Sequence, residues 1–157
     1  MSNIYFPDEE ITFNDIYFVC SMIERTARHI KQPNIYVVQK IGKEGLERQL
    51  SIANTLHCLN PEQVVDDWKD EYQLQSGNRD VTAVNADLVD KIPTELQMGK
   101  VYARLVSALT PADGNFAEGI MKVYSSPVCE TIDNYNSSAY YEPSYVQIRA
   151  LQNGAFI

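Results

Sequence analysis

The fold is decided by residues 12–30, which read TFNDIYFVCSMIERTARHI. Apolar side chains recur in this stretch at intervals of three and four residues, the spacing of one face of an α-helix. The members of this stripe are Ile16, Val19, Ile23, Ala27 and Ile30. Thr12 and Asp15 have the spacing of a capping box, and Pro33 disfavours helical geometry in the residue before it. The stretch therefore predicts an amphipathic helix over about 13–31 whose apolar face is buried.

The same signals continue along the sequence. Further helices are predicted at about 35–41, 43–57, 61–75, 94–109, 116–124, 127–135 and 143–151. Asn34 and Asn60 are expected to cap the helices that follow them. Gly42 stands where a left-handed residue closes a helix, and Asn153 and Gly154 are expected to close the last helix. Strand-type alternation of apolar and polar residues is nowhere sustained. The fold class is therefore all-α, a compact multi-helix domain of about seven or eight short helices.

The helices are expected to form one compact domain or two small lobes. Residues 76–93 have no clean helical period, and Ser76, Gly77 and Asn78 break the helix before them. We treat this segment as a linker between an N-terminal helical lobe, residues 1–75, and a C-terminal helical lobe, residues 94–157. Residues 1–11 are expected to form an extended or loosely docked arm.

The chain is acidic. Its 157 residues hold 13 Lys and Arg against 21 Asp and Glu, a formal net charge of −8 at pH 7. Such a chain lacks the positive charge that attracts phosphate backbones and anionic membranes, so neither a nucleic-acid partner nor a membrane-surface role is expected. The acid excess favours a basic protein as the partner.

Targeting and redox signals point to the cytoplasm. No stretch approaches the roughly 20 apolar residues that span a bilayer, so no membrane-spanning helix is expected. The start of the sequence lacks the basic residues of a signal peptide, so no signal peptide is expected either. The three cysteines, Cys20, Cys58 and Cys129, are odd in number, widely spaced and set among apolar residues. This pattern is typical of buried free thiols in a reducing compartment, and we predict a cytoplasmic protein.

Groups suited to catalysis or metal binding are sparse. The two histidines, His29 and His57, belong to no His-Glu-x-x-His pattern, and the sequence has neither a Cys-x-x-Cys pair nor a phosphate-binding loop. His57 and Cys58 are neighbours that point about 100° apart on a helix, a poor geometry for a thiolate–imidazolium pair. We expect no catalytic residue, no cofactor and no metal. The alternative is a small hydrolase or transferase with a composite site of Arg25, His29 and His57.

Two stretches are candidates for binding a partner protein. Residues 61–75 carry an acidic helix face with Asp66, Asp67 and Asp70, which would steer a basic partner or, in the plainer interpretation, is only a solvated face. Residues 133–145 are rich in tyrosine, asparagine and serine, a composition that suits a protein contact or a buried corner between helices. The candidates in this second stretch are Tyr135, Asn136, Tyr140, Tyr141 and Tyr145.

Parts of the sequence resemble known bacterial proteins. Residues 16–27, IYFVCSMIERTA, followed later by residues 54–57, NTLH, resemble a family of short helical proteins that are often encoded beside ADP-ribosyltransferase-like toxins. The resemblance covers about residues 11–75, and its distinctive positions are Glu24, Ala27, Leu56 and His57. Residues 100–105, 123–127 and 132–138 resemble other small proteins from such gene neighbourhoods. The resemblance implies a partner-binding role and assigns no catalytic residue.

The sequence as a whole predicts a non-catalytic protein-binding domain, antitoxin-like or inhibitor-like, that acts by binding a partner protein. The small hydrolase or transferase is one alternative. The other is a self-assembling structural protein, a homo-oligomer in which the N-terminal arm docks onto a neighbouring copy.

Overall fold

The computed structural model describes residue 1 and residues 3–156. All regular secondary structure in these residues is helical, and they form no strand. The helices are α1 (Phe13–Ile30), α2 (Asn34–Leu56), α3 (Pro61–Glu71), α4 (Glu95–Leu109), α5 (Phe116–Tyr124), α6 (Val128–Ile132) and α7 (Ser144–Asn153), with a 3-10 turn at Ala139–Tyr141. The predicted all-α fold of seven or eight short helices is confirmed.

Side-chain caps set where several helices begin. At α1, Asp15 Oδ2 accepts a hydrogen bond from the Thr12 backbone N–H at 2.8 Å, and the Thr12 hydroxyl accepts one from the Asp15 N–H, which is the predicted capping box. Thr94 and Gln97 form the same reciprocal pair at α4. Asn60 caps α3 as predicted, with a proline in the first turn, where its missing N–H is not needed.

Helix α2 contains the glycine that the sequence predicts to separate two helices. Gly42 has φ +72° and ψ 174°, a conformation that L side chains rarely adopt, so the helical pieces on either side meet at a kink. Gly42 separates two helical pieces, as predicted, whereas the predicted capping of the second helix by Asn34 is wrong. Asn34 is already the first residue of α2, and its side-chain amide donates to Glu24 and Asp133 instead of capping the helix.

Two helices are shorter than the sequence predicts. Helix α3 ends at residue 71 rather than 75, because Gln73 takes a left-handed φ of 53° and the chain turns Leu74 into the core. Helix α6 ends at residue 132 rather than 135, and the side chains of Asp133 and Tyr135 are held by other helices. Gly154 closes α7 in the left-handed conformation, as predicted.

Helix α1 lies at the centre of the packing. It contacts α2, α3 and α4, while α5 packs against α2 and α4, and α7 packs against α4. The apolar stripe predicted for α1 is buried along its whole length. Helices α1 and α4 approach closely at Gly99, where a Cβ atom would lie 2.7 Å from Ser21 Cα. Only a residue without a side chain permits this distance between the two backbones.

The two predicted lobes share one hydrophobic core. Buried apolar residues of 11–74 and of 98–150 belong to a single cluster, and the most extensive contact between helices joins α1 to α4. Residues 76–93 do form a connection without helix or strand. This connection joins two parts of one core rather than two separate cores.

The N-terminal arm is docked onto the helices. Asn3 is buried, and its side-chain Nδ2 donates to the Ser51 carbonyl at 2.8 Å. Ile4, Tyr5 and Phe6 follow in an exposed turn, each with about half of its surface in solvent.

The cysteines follow the prediction at two of three positions. All three are free thiols, and Cys20 and Cys129 are buried as expected. Cys58 is exposed, so its predicted burial is wrong. It lies in the turn after α2, where the chain has already left the apolar face of that helix.

Candidate functional site

A buried polar cluster lies where α1, α2, α4 and α6 meet. Its members are Glu24, Arg28, Asn34, Tyr102, Asp133 and Tyr135, and all but Arg28 are almost completely buried. The sequence analysis did not predict this cluster. The sequence predicts for Tyr135 either a partner contact or a buried corner, and for Asn34 a helix cap, but it does not bring the six residues together.

Two carboxylates in this cluster share one amide. Asn34 Nδ2 donates to Glu24 Oε1 at 3.0 Å and lies 3.4 Å from Asp133 Oδ2. The Tyr102 hydroxyl donates to Asp133 Oδ1 at 2.5 Å. Glu24 forms an ion pair with Arg28, whereas Asp133 has no basic group within 4 Å in the described residues. Only Glu24 is therefore ion-paired, and the positive charge of Arg79 acts on Asp133 from more than 4 Å away.

Arg28 joins this cluster to the chain segments around it. Its Nε donates to Glu24 Oε2 at 3.0 Å, and its Nη2 donates to the Pro93 carbonyl at 2.7 Å and to the Tyr135 hydroxyl at 2.9 Å. The Tyr135 hydroxyl in turn donates to Glu24 Oε2 at 3.3 Å. Arg28 and Glu24 thus hold α1, the end of the 76–93 connection and the segment after α6 together.

The surroundings of Asp133 change its acidity. Burial of the carboxyl and the negative charge of Glu24 raise its pKa from 3.8 to about 7, and the hydrogen bonds from Tyr102 and Asn34 only partly oppose this shift. Burial also raises the pKa of Tyr102 well above 10, so that hydroxyl remains a donor. Asp133 can therefore hold or release a proton near neutral pH.

Asp133 also borders a cleft of about 620 Å³ between the start of α2 and the turn from α5 to α6. Arg79, Cys129 and Glu130 line the same cleft. Burial raises the pKa of the Cys129 thiol to about 12, so it stays protonated and is not an activated nucleophile. The polar groups of this region thus serve as hydrogen-bonding partners of one another.

A second cleft, the tyrosine cleft, has a volume of about 580 Å³. It is formed by residues 88–91 of the connection on one side and by residues 135–138, 140 and 141 on the other. The Asn85 backbone N–H donates to Asn136 Oδ1 at 2.7 Å and holds the two sides together. Tyr141 and Leu88 are 67% and 68% exposed. Because these two exposed groups line the same cleft, they form a shared apolar surface that a partner could cover.

Aromatic rings connect the tyrosine cleft to the buried polar cluster. The ring centroids of Tyr135 and Tyr140 are 5.5 Å apart, and those of Tyr140 and Tyr141 are 4.8 Å apart with planes at 83°. The series runs from a buried ring to an exposed one. Edge-to-face packing of this kind fixes the ring orientations at the cleft.

The predicted tyrosine-rich binding surface is only partly assembled. Tyr140, Tyr141 and Asn136 lie at the tyrosine cleft, and Asn136 and Tyr141 are exposed. Tyr135 is 2% exposed and its hydroxyl is engaged with Arg28 and Glu24, which is the buried corner that the same composition also suits. Its contact with a partner stays a prediction. Tyr145 is exposed on α7 but does not line the cleft.

A third feature is a pair of neighbouring cavities along α1, which we call the α1 channel. It consists of an apolar half of about 240 Å³ and a polar half of about 540 Å³, and Arg25 lines both. The apolar half includes Tyr17, Phe18, Met22, His57, Leu59 and Leu96. The polar half includes Arg28, His29, Glu62, Val65, Asp66 and Glu95. One end of the α1 channel is therefore apolar and the other end is charged.

The residues of the composite Arg/His alternative are distributed over the α1 channel. Arg25 and His29 line the polar half together. His57 lies in the apolar half, where its ring packs against Phe18 with centroids 4.3 Å apart. Across the described chain, no hydrogen bond joins the three side chains, and the enzyme alternative stays a prediction.

The acidic face of α3 is exposed as the sequence predicts. Asp66, Asp67 and Asp70 all face solvent, and Gln63 Nε2 donates to Asp67 at 2.9 Å. No Lys or Arg among the described residues lies within 4 Å of these three carboxylates. Their negative charges are therefore free to act on a partner.

The structure and the comparisons assign no further site. Where the structure describes the chain, no group of three or more His, Cys, Asp and Glu side chains could hold a metal ion. No helix formed by the described residues is both long enough and apolar enough to cross a bilayer. No family model, curated protein or solved structure matches the chain. The resemblance to toxin-associated bacterial proteins therefore stays a prediction.

Proposed function

We propose that this chain is a protein-binding domain that acts by holding a partner protein at the tyrosine cleft. The observation that carries the proposal is the cleft itself, where Tyr141 and Leu88 stand exposed opposite each other beside uncharged Asn and Ser side chains. Exposed aromatic and aliphatic groups in a concave site are typical anchors of protein contacts, because their burial removes apolar area from water with little loss of rotamer freedom.

The charges of the cleft fit a contact made by apolar surface and hydrogen bonds. Asp90 and Lys91 contribute one charge of each sign, and the segment from residue 134 to 141 has no charged side chain. The oxygens of Asn136, Ser137 and Ser138 are hydrogen-bonded within the chain, whereas Asn136 Nδ2 donates to no group among the described residues and can bond to a partner's backbone.

The mode of action that we propose is antitoxin-like or inhibitor-like. In this mode the chain covers a working surface of its partner and performs no chemistry of its own. We place the interaction in the cytoplasm, because free thiols such as Cys20 and Cys129 fit a reducing compartment.

The proposal is tested by affinity capture from the native host, followed by mass spectrometry. Wild type is compared with Tyr141→Ala, with Leu88→Ser and with Tyr145→Ala. Tyr145 is the matched control, because it is 65% exposed and lies outside the cleft. We expect one protein to be retained by wild type and Tyr145→Ala and to be lost from the two cleft variants.

Thermal unfolding of each variant shows that it is folded. Capture of the same proteins by all four chains, or loss of the partner from Tyr145→Ala as well, would contradict the proposal.

A further inference from the structure

The α1 channel has the length of a short helix. Between Tyr17 and His29, α1 advances twelve residues, which corresponds to about 18 Å at 1.5 Å per residue. A helix of about 12 residues, or roughly three turns, spans the same distance. The channel is bounded by α3 on one side and by the start of α4 on the other.

The apolar half gathers exposed hydrophobic groups from separate elements. Leu96 at the start of α4 is 53% exposed and Leu59, before α3, is 42% exposed. Tyr17 and Phe18 of α1 line the same half. Apolar groups that converge on a depression from three parts of the chain form a pocket for the anchor side chains of a partner.

The polar half supplies unpaired negative charge next to this pocket. Glu62 and Asp66 line it from α3, and Arg25 and His29 line it from α1. Neither carboxylate has a Lys or Arg within 4 Å among the residues described. Asp67 and Asp70 continue the negative charge along the same helix. Arg28 is already engaged by Glu24 and Glu95, so it does not neutralise the α3 carboxylates.

From this arrangement we infer that the α1 channel binds an amphipathic helix of a partner protein. The apolar side chains of that helix occupy the half lined by Phe18, Leu59 and Leu96. Its Lys and Arg side chains lie along Glu62 and Asp66, about one turn beyond the anchor residues. Arg25 stands between the halves and repels cations there, which fixes the direction in which the helix lies.

This inference shares with the proposed function only the premise that a partner is a protein. The α1 channel and the tyrosine cleft have no lining residue in common. Either proposal can therefore fail while the other holds.

The test uses a labelled synthetic peptide of about 14 residues that forms a helix with leucine on one face and lysine on the other. Binding is measured by fluorescence anisotropy at low and at high salt. We expect the lysine peptide to bind with a Kd below about 100 µM and a matched peptide with glutamate in place of lysine to bind at least about tenfold more weakly.

Variants of the chain separate this site from general charge attraction. Glu62→Lys combined with Asp66→Lys should weaken binding by about tenfold or more. The matched control is Asp8→Lys combined with Asp87→Lys, because both residues are exposed, line neither half, and give the same change of net charge. Leu96→Asp should weaken binding at both salt concentrations, because it acts on the apolar half.

Three results would overturn the inference. The first is that the lysine peptide does not bind at concentrations up to about 100 µM. The second is equal weakening by the control pair, which would show attraction by net charge alone. The third is self-association of the chain, seen by sedimentation, that Leu96→Asp abolishes, because a second copy would then occupy the channel.

Discussion

Glu24 and Asp133 are held by the same side-chain nitrogen, Asn34 Nδ2, which lies 3.0 Å from one carboxylate and 3.4 Å from the other. Because both acids are buried and only Glu24 is paired with an arginine, charge on both at once is unfavourable. The proton that relieves this repulsion resides on Asp133, whose pKa is raised to about 7. Folding of this chain is therefore coupled to pH through one carboxyl.

The sign of this coupling gives the first prediction. In the unfolded chain Asp133 loses its proton near pH 3.8, whereas in the folded chain it keeps the proton up to about pH 7. Between these values the folded state binds more protons, so the free energy of unfolding falls as pH rises through this window. We expect a loss of up to about 2 kcal/mol between pH 5 and pH 7.

Chemical denaturation of wild type and Asp133→Asn across this pH range checks the prediction. The variant cannot ionise at this position, so its stability should depend much less on pH. Asp87→Asn, at an exposed position, should keep the wild-type slope. An unchanged slope in Asp133→Asn would assign the pH dependence to other groups.

The second prediction concerns the hydroxyl of Tyr135. Tyr135→Phe removes the acceptor of Arg28 Nη2 and a donor to Glu24, and it leaves buried charged groups with fewer partners. We expect the free energy of unfolding to fall by about 1–3 kcal/mol. Tyr141→Phe makes the same chemical change at an exposed ring and should alter stability by less than about 0.5 kcal/mol. Equal effects of the two variants in urea denaturation would argue against the hydrogen bonds described for Tyr135.

The third prediction concerns the crossing of α1 and α4. Gly99→Ala would place a Cβ atom 2.7 Å from Ser21 Cα, a backbone atom that cannot move aside alone. Although alanine favours helices more than glycine does, we expect a net loss of about 1–3 kcal/mol, because the two helices must separate. Thermal and urea unfolding measure it, and Lys100→Ala, at the next and exposed position of α4, is the control. A stabilised Gly99→Ala chain would show that the helices are further apart than described.

The fourth prediction concerns the kink in α2. Gly42→Ala meets no atom within 4 Å, so any effect arises from the φ of +72° alone. We expect a loss of stability of about 1–3 kcal/mol from backbone strain. Gln39→Ala, exposed on the helical turn before it, should change stability by less than about 0.5 kcal/mol. A neutral Gly42→Ala would mean that the helix straightens without cost.

The sequence predicts those features of the fold that depend on nearby residues. The stripe of α1 and the caps at Thr12 and Asn60 involve side chains within a few positions of one another, so their spacing is visible in the chain. Gly42 and Gly154 follow from the same local rules.

The buried polar cluster depends on residues that are distant in the chain. The hydrogen bond from Tyr135 to Glu24 spans 111 positions, and nothing in the sequence indicates that those residues meet. The sequence does contain one indication of a buried polar group. Glu24 lies four residues after Cys20 and three before Ala27, which places it on the apolar face of α1. A carboxylate at such a position predicts a buried partner, although the sequence does not identify it.

The tyrosine-rich segment shows the limit of arguments from composition. Tyrosine suits both a buried corner and a contact surface, and here neighbouring tyrosines take both roles. The buried Tyr135 hydroxyl accepts a hydrogen bond from Arg28 and donates one to Glu24. The Tyr141 hydroxyl bonds to no other described residue, and its ring is exposed. The division between them follows from where α6 ends, which the sequence placed three residues too late.

The position of α1 between α2 and α4 has a consequence for synthesis on the ribosome. The apolar face of α1 is translated before α4, which covers much of that face and begins some eighty residues later in the chain. Until then α2 and α3 can cover only part of this apolar face, and the part that packs against α4 is the kind of surface that chaperones recognise. For the same reason, fragments cut within residues 76–93 should be unstable apart and should regain structure only when mixed.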